Sequence, residues 1–228
     1  MPDPTSGPSY AVEGVLFDCD GVLVDSDASV FAAWGEWAAQ HSLDPDTVAN
    51  AVHGRRAADT VALLIDPEQR AEALNKINAF ELESAAEVTA IPGAIQLVRA
   101  IGPDFSAVVT SGTRLLAAAR LSAAGIPAVS VVITADDVIN GKPDAEGYRS
   151  AAIRLGLTPE NTIVFEDAAS GVQAARAAGV RAVIGVGRRA LGTDADIVIA
   201  DLRMVTWTGG LLRCDPRGIL RGLRTASD

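Results

Sequence analysis

Short apolar runs alternate with alanine-rich stretches of helical length along most of this 228-residue chain. Glycine follows several of the helical stretches, as is typical of a helix C-terminus. The predicted strands are residues 12–17, 106–109, 129–133, 162–165, 180–186 and 197–199. The predicted helices between them are residues 94–101, 115–124, 145–155 and 170–178. Alternation of this kind forms right-handed βαβ units. It therefore predicts an α/β fold with a Rossmann-like core, a parallel sheet covered by helices on both faces.

One long segment interrupts the alternation. Residues 27–91 contain helical patterns at 30–41 and 68–86 but no clear strand. About 65 residues of helix are far more than an ordinary crossover between two strands requires. Near the C-terminus, residues 207–214 and 218–223 allow either a hairpin or irregular chain. The predicted domains are a disordered tail at 1–10, a catalytic core at 11–26 and 92–228, and an inserted all-helical domain at 27–91.

The charge balance excludes one large class of function. The sequence has 29 acidic residues against 17 arginines and two lysines, for a formal net charge of −10. A nucleic-acid-binding protein needs a basic face, so we expect no nucleic-acid partner. No apolar run approaches the roughly 20 residues that span a bilayer, so we expect no membrane partner. Cys19 and Cys214 have no disulfide or metal-site spacing, which favours the reducing cytoplasm. We also expect a monomer.

Polar residues follow four of the predicted strands. Asp18-Cys19-Asp20-Gly21 follows the first strand, Thr110-Ser111-Gly112 the second and Glu166-Asp167 the fourth. Gly141-Lys142-Pro143 follows the third strand after a short loop. Ligands of doubly wound sheets bind at the carboxyl ends of the strands. We therefore expect these residues to meet in one crevice.

Acidic residues in one crevice imply a cation. Neighbouring carboxylates raise one another's pKa unless a positive charge joins them. Mg²⁺ commonly binds one or two carboxylates, water and a substrate phosphate, which makes it the expected cofactor. Thr110 and Lys142 would hold the other phosphate oxygens, through a hydroxyl hydrogen bond and as a point charge. Gly21 and Gly112 would let backbone amides approach the ligand.

The four motifs together resemble those of the haloacid dehalogenase superfamily. Residues 17–26 (Phe-Asp-Cys-Asp-Gly-Val-Leu-Val-Asp-Ser) look like its first motif. Thr110, Lys142 and Glu166-Asp167 look like its second, third and fourth motifs, in that order. The resemblance covers roughly residues 12–200, and the helical insertion resembles the C1-type cap of the superfamily.

The resemblance implies a mechanism. Asp18 would be the nucleophile that forms an aspartyl-phosphate, and Asp20 would protonate the leaving alcohol and then activate water. Lys142 and Thr110 would stabilise the charge of the transferring phosphoryl group. The implied phosphate-binding residues are Thr110, Ser111, Gly112 and Lys142.

The resemblance also implies a metal site. Its ligands would be the carboxylates of Asp18 and Asp167 and the backbone carbonyl of Asp20, with Glu166 acting through water. Superfamily members that are dehalogenases or cleave phosphonates lack the second aspartate, so Asp20 implies a phosphate ester as the substrate.

The insertion points to the class of substrate. Residues 53–60, with 91–94, 110–114 and 133–138, look most like segments of sugar-phosphate and glycerol-phosphate phosphatases. This resemblance implies a small sugar or polyol phosphate. Arg56 would bind an anion or hydroxyls of the substrate, and His53 and Glu81 would face a polyol. The structural alternatives are a solvated helix start for Arg56 and a helix cap for His53.

Two other functions stay open at this point. A sugar phosphomutase of the β-phosphoglucomutase type would share the fold and the motifs. Those relatives tend to carry a histidine where this chain has Val30, which favours the phosphatase. A non-catalytic binding protein on the same fold is the second alternative, although every chemical position is filled.

Cys19 is expected to point away from the acid pair as a small buried side chain.

Overall fold

The computed structural model describes residues 7–223. The strands are β1 (Ser9–Ala11), β2 (Gly14–Phe17), β3 (Val24–Asp25), β4 (Thr89–Ala90), β5 (Ser106–Val109), β6 (Val131–Ile133), β7 (Thr162–Glu166), β8 (Ala182–Val186), β9 (Ile197–Ile199), β10 (Val205–Thr208), β11 (Leu211–Cys214) and β12 (Ile219–Arg221). The helices are α1 (Asp27–Gln40), α2 (Pro45–Val52), α3 (Ala57–Leu64), α4 (Arg70–Glu83), α5 (Ala94–Ile101), α6 (Arg114–Ala123), α7 (Glu146–Arg154) and α8 (Ala169–Ala178).

A seven-stranded sheet forms the core, in the order β12-β9-β8-β7-β2-β5-β6. All neighbouring pairs are parallel except β12 with β9, which is antiparallel. This confirms the predicted α/β class and adds one antiparallel edge strand. Strand β2 is central. Its successive side chains point to opposite faces of the sheet, and all four of its residues are buried, so helices cover both faces. Val15 and Phe17 join the apolar cluster on one face, and Leu16 joins the cluster on the other.

Alanine explains how the helices approach this sheet closely. In α8 the buried residues are mostly small, and they include Ala174, Ala175 and Ala178. A face without bulky side chains lets a helix axis lie near the strands, so an alanine-rich core can pack densely with few aromatic residues. Phe17 and Phe165 supply a stacked pair on adjacent strands, with ring centroids 5.3 Å apart.

Helices α1–α4 form a separate helical unit between β3 and β4. Its own apolar cluster includes Trp34, Trp37 and Ile77. The indole nitrogen of Trp37 donates a hydrogen bond to the carbonyl of Ala73 at 2.9 Å, so the large buried ring leaves no polar atom unpaired. At the base of the unit, β3 pairs antiparallel with β4, which joins the entering and leaving chains.

Several sequence-based boundaries need correction. Ser9 and Tyr10, expected in the disordered tail, form β1 together with Ala11 and pair antiparallel with β11; residues 1–6 of that tail lie outside the described residues. The segment expected to contain no strand ends with the two-residue β4. The C-terminal region, for which the sequence allowed either a hairpin or irregular chain, forms a hairpin of β10 and β11. The turn contains Gly209 and Gly210, both with positive φ, and β12 follows the hairpin. In residues 7–223 no helix is long and apolar enough to cross a membrane.

Candidate active site

The register of the sheet brings the motif residues to one edge. Phe17 lies opposite Val108 on one side and Phe165 on the other, so the three strands end together. Asp18, Thr110 and Glu166 therefore stand side by side at the carboxyl ends of β2, β5 and β7.

Three buried carboxylates form an acid cluster at this edge. One oxygen each of Asp18, Glu166 and Asp167 lies within 4.8 Å of the others. Burial of its carboxylate, and to a smaller extent the negative charge of Glu166, raises the pKa of Asp167 to about 7. Burial likewise raises the pKa of Asp18 well above its ordinary value, although the neighbouring Lys142 opposes this effect. The cluster thus needs positive charge.

Lys142 supplies part of that charge from within the chain. Its Nζ donates to Asp18 Oδ1 at 2.5 Å and to Glu166 Oε1 at 2.6 Å. Burial by itself would lower the pKa of Lys142, but the two carboxylates hold it above the ordinary value. Lys142 is therefore an ammonium at neutral pH, and it fixes the nearer oxygen of Asp18.

The carboxylate of Glu166 is fully used inside the protein. Its Oε1 accepts hydrogen bonds from Lys142 and from the Tyr148 hydroxyl at 2.8 Å. Its Oε2 accepts from the backbone amides of Asp167 at 2.9 Å and Ala168 at 3.1 Å. The absence of a side chain at Gly171 makes room for it, since a Cβ there would overlap the carboxylate. Glu166 thus holds its neighbours in position.

The acid cluster fits a hard divalent cation. Closely spaced, buried oxygen donors with raised pKa values are the ligand set that such an ion stabilises. Gly21, at φ +82°, preserves the space beside Asp167, because a Cβ at that position would overlap the carboxylate. Within residues 7–223 no donor reaches the second carboxylate oxygen of Asp18 or of Asp167, whereas both oxygens of Glu166 accept hydrogen bonds.

Asp20 has a different environment from the acid cluster. Its Oδ1 accepts hydrogen bonds from the Ser26 hydroxyl at 2.7 Å and from Arg120 Nη1 at 3.0 Å. Of the four residues predicted for the metal site, the structure brings three carboxylates together and directs the fourth, that of Asp20, elsewhere. Its side chain is partly exposed and borders a cavity that lies between the acid cluster and the helical unit.

The loop after β5 presents hydroxyls and amides. Thr110 Oγ1 accepts a hydrogen bond from the amide of Gly112 at 3.0 Å, which leaves the hydroxyl proton of this buried side chain free to donate. Ser111 Oγ donates to the carbonyl of Gly54 at 3.0 Å and so connects this loop to the helical unit. Gly54 has φ +73°, and a side chain there would meet Ser170, which explains the glycine.

A cavity of about 250 Å³ separates the acid cluster from the helical unit. His53 and Glu81 border it, as does the exposed Arg55. His53 is partly buried and packs edge-on against Phe31, with centroids 5.2 Å apart. Burial, and to a smaller extent the positive charge of Arg189, lowers the pKa of His53, so its imidazole is mostly neutral at pH 7.

Arg56 also borders the cavity, but most of its donors are used internally. Its Nε and Nη2 donate to the two carboxylate oxygens of Asp59 at 2.7 and 2.9 Å. Its Nη1 donates to the carbonyl of Ile139 at 3.0 Å. Arg56 therefore ties the helical unit to the loop before Lys142. Arg55 makes no side-chain hydrogen bond or ion pair within residues 7–223, so its guanidinium is available to a ligand.

Sequence reasoning missed three residues of this site. Arg120 and Tyr148 face inward from helices, and Arg189 contacts Asp167 and Asp27. The buried residues of α6, Leu116, Ala117 and Arg120, have helical spacing, so an arginine on an apolar face was the available signal. Arg189 begins a short 3₁₀ helix after β8 and carries no comparable pattern.

Cys19 is buried and free, within the apolar cluster beneath the site. Burial raises the pKa of its thiol well above the ordinary value. A neutral buried thiol is a poor nucleophile. This agrees with its expected role as a small packing side chain.

The fold and the arrangement of motifs define a class of protein. The chain belongs to the haloacid dehalogenase-like hydrolases, whose family model matches residues 12–179. Hexitol phosphatase A of Escherichia coli (strain K12) is 37% identical over 204 residues, covering 86% of this chain and 94% of that protein. Glycerol-1-phosphate phosphohydrolase 2 of Saccharomyces cerevisiae is 32% identical over 190 residues, covering 78% of this chain and 76% of that protein.

A solved structure adds support for the fold alone. The β-phosphoglucomutase of Clostridium difficile superposes with a TM-score of 0.75 at 21% identity, covering 86% of this chain and 94% of that chain. At this identity the likeness concerns the architecture of the core and the helical unit.

Proposed function

We propose that this protein is a Mg²⁺-dependent phosphatase that hydrolyses a small sugar or polyol phosphate through an aspartyl-phosphate intermediate. The observation that carries the proposal is the position of Asp18. Its carboxylate lies between Lys142 and Asp167 beside a cavity that the helical unit covers. The names of the relatives, a hexitol phosphatase and a glycerol-1-phosphate phosphohydrolase, support the class of substrate.

In the first step an oxygen of Asp18 attacks phosphorus in line with the ester oxygen. The O–P bond to Asp18 forms as the P–O bond to the substrate alcohol breaks, and the alcohol oxygen takes a proton from Asp20. Lys142, Thr110 and the amides near Gly112 stabilise the charge on the phosphoryl oxygens. In the second step Asp20 accepts a proton from water, and that water releases phosphate and regenerates Asp18.

The metal would be held by the carboxylates of Asp18 and Asp167 and by the backbone carbonyl of Asp20. Glu166 would act from behind these ligands, because its own oxygens are already hydrogen-bonded. When bound, the ion supplies the positive charge that offsets the acid cluster and the substrate phosphate. Asp18, with a raised pKa in its absence, would then be ionised for attack.

The helical unit would select the alcohol part of the substrate. Neutral His53 can donate or accept a hydrogen bond, as substrate hydroxyls require. Arg55 offers an unpaired guanidinium, and the cavity of about 250 Å³ suits a small molecule. Arg56, proposed from the sequence as a substrate ligand, would instead support the position of this segment.

A screen of phosphate release tests the proposal. Hexitol, hexose, deoxysugar and glycerol phosphates would be incubated with the protein and Mg²⁺, and with Asp18→Asn as the matched variant. We expect release from at least one polyol or sugar phosphate and none from Asp18→Asn. Negligible turnover across the panel, or full activity of Asp18→Asn, would count against the assignment.

The same screen separates a phosphatase from a phosphomutase. Val30, where such mutases tend to carry histidine, is a buried apolar residue at the cavity wall. With a hexose 1-phosphate and a bisphosphate primer, we expect free phosphate. Isomerised ester with little free phosphate would favour the mutase instead.

The compartment and the assembly state are part of the proposal. Cys19 and Cys214 are both free and buried, which supports a reducing cytoplasm as the site of action. We propose that the enzyme acts as a monomer on small molecules, without a nucleic-acid or membrane partner. Sedimentation analysis of the purified chain tests the assembly state.

A further inference from the structure

Arg120 is a buried cation whose position the proposed mechanism does not yet explain. It lies on the inward face of α6 with a side chain only 3% exposed. Burying a guanidinium is costly unless carboxylates pair with it. Arg120 has two such partners, Asp20 from the loop after β2 and Glu81 from α4 of the helical unit.

Two donors converge on a single oxygen of Asp20. Arg120 Nη1 and the hydroxyl of Ser26 both donate to Oδ1, at 3.0 and 2.7 Å. Within residues 7–223 no hydrogen-bond donor reaches Oδ2. A carboxyl group held in this way presents one defined oxygen to the cavity, and Oδ2 is the oxygen left to exchange a proton.

Glu81 approaches Arg120 from the opposite side. Its Oε1 lies 3.6 Å from Arg120 Nη2, an ion pair slightly too long for a hydrogen bond. Nε and Nη2 of Arg120 are buried and have no hydrogen-bond partner in the described chain. A movement of α4 towards α6 by less than about 1 Å would turn this ion pair into a hydrogen bond.

We propose that Arg120 is a positioning residue. It holds Asp20 so that Oδ2 carries the proton for the leaving alcohol, and Glu81 holds Arg120 from the helical unit. The helical unit thereby takes part in general acid catalysis through two side chains, in addition to covering the cavity. This inference rests on the proposed phosphatase function and on Asp20 as its acid.

The dependence of the rate on the leaving group tests this role. Phenyl phosphate and p-nitrophenyl phosphate lack polyol hydroxyls, and only the phenolate of the first is basic enough to need a proton as it leaves. We expect Arg120→Met to lower kcat/KM for phenyl phosphate by about 10²-fold, within the usual range for general acid catalysis. For p-nitrophenyl phosphate the loss should be only a few-fold.

Three further comparisons separate positioning from a folding defect. Asp20→Asn should show the same dependence on the leaving group, and adding Arg120→Met to it should cause little further loss for phenyl phosphate. Glu81→Gln, a nearly isosteric change, should show the same pattern to a smaller degree even if Arg120→Met folds poorly. Arg120→Lys should restore part of the activity towards phenyl phosphate, because a cation returns beside Asp20.

The outcomes are distinct. Equal losses on both aryl phosphates in the Arg120 and Glu81 variants would overturn the positioning role. Losses confined to polyol phosphates would also overturn it, because they would mean that the two residues contact substrate hydroxyls. If the wild-type protein releases no phosphate from any ester, the proposed function itself fails.

Discussion

The guanidinium of Arg189 lies directly against the carboxylate of Asp167, the residue proposed to bind the metal from the fourth motif. Its second amino group donates to both carboxylate oxygens of Asp27 at 2.7 Å. Arg189 therefore connects the acid cluster to the first residue of the helical unit. If Asp167 binds Mg²⁺ as proposed, Arg189 would compete with the ion for this carboxylate.

This contact predicts a change in metal affinity. Arg189→Met should tighten Mg²⁺ binding by about 10-fold, because a charge-assisted hydrogen bond worth about 1.5–3 kcal/mol no longer competes for Asp167. Calorimetric titration of Mg²⁺ into the substrate-free protein measures the effect. The matched control is Arg188→Gln, since Arg188 is exposed and makes no side-chain hydrogen bond or ion pair within residues 7–223. Unchanged or weaker binding by Arg189→Met would refute the competition.

The two lysines of the chain allow a matched comparison. Lys142→Met should lower kcat by about 10²–10³-fold, because the cation proposed to stabilise the phosphoryl oxygens is lost. In the absence of metal it should also lower the free energy of unfolding by about 3 kcal/mol, since Asp18 and Glu166 stay buried without their partner. Lys76→Met removes an exposed pair with Glu72 and should leave the free energy of unfolding nearly unchanged. Phosphate release and urea unfolding measure both effects, and equal behaviour of the two variants would contradict the role of Lys142.

Adjacent arginines in the helical unit should separate binding from stability. Arg55→Ala should raise KM for a sugar phosphate by about 10-fold, equivalent to about 1.4 kcal/mol, while kcat changes little. Arg56→Ala should instead lower the free energy of unfolding by about 1–2 kcal/mol, because its hydrogen bonds to Asp59 and the Ile139 carbonyl are lost. Steady-state kinetics with urea unfolding distinguish the two. A higher KM for Arg56→Ala at full stability would reassign it to substrate binding.

Acid sensitivity should depend on Asp137. The hydroxyl and amide of Thr134 donate to its carboxylate at 2.7 and 3.0 Å, and Arg114 donates at 2.8 Å. Burial of the carboxylate raises the pKa of Asp137. The hydrogen bonds from Thr134, and to a smaller extent that from Arg114, outweigh burial and lower this pKa from 3.8 to about 2. Because the folded-state pKa lies below the unfolded value, this carboxylate stabilises the fold above pH 3.8. That contribution is lost as the pH falls towards 2.

Asp137→Asn should therefore be less stable than the wild type at pH 7, by about 1 kcal/mol, and lose less stability below pH 4. Chemical unfolding at several pH values from neutral to acidic tests this. Asp66→Asn, at an exposed position with no side-chain hydrogen bond or ion pair within residues 7–223, is the control and should follow the wild type. If the free energy of unfolding changed with pH in the same way for the wild type and Asp137→Asn, the stabilising role of Asp137 would be disproved.

Local pattern was sufficient for most of the core. Helix α5 was predicted over the residues it occupies, because its apolar positions repeat with helical period and Gly102 ends it. Strands β5 and β9 were likewise found from continuous apolar runs. Helices α2 and α3 were not singled out, because each buries only two residues and so carries a weak periodic signal, whereas α5, of the same length, buries four. Strand β1 was missed because its pairing with β11 joins residues about 200 positions apart.

The amino-acid sequence by itself determined the α/β class, the helical insertion and which polar residues follow each strand. These properties depend on hydrophobic period and on residue type at neighbouring positions, which a linear reading captures. Only the tertiary structure decided the partner of each charged group. Arg56 pairs with Asp59 and leaves Arg55 free, Arg189 contacts Asp167, and Arg120 joins Asp20 to Glu81. The pairs of Arg120 and Arg189 join segments that are far apart in the chain, and the energies of all these pairs depend on distances and burial that exist only in the folded protein.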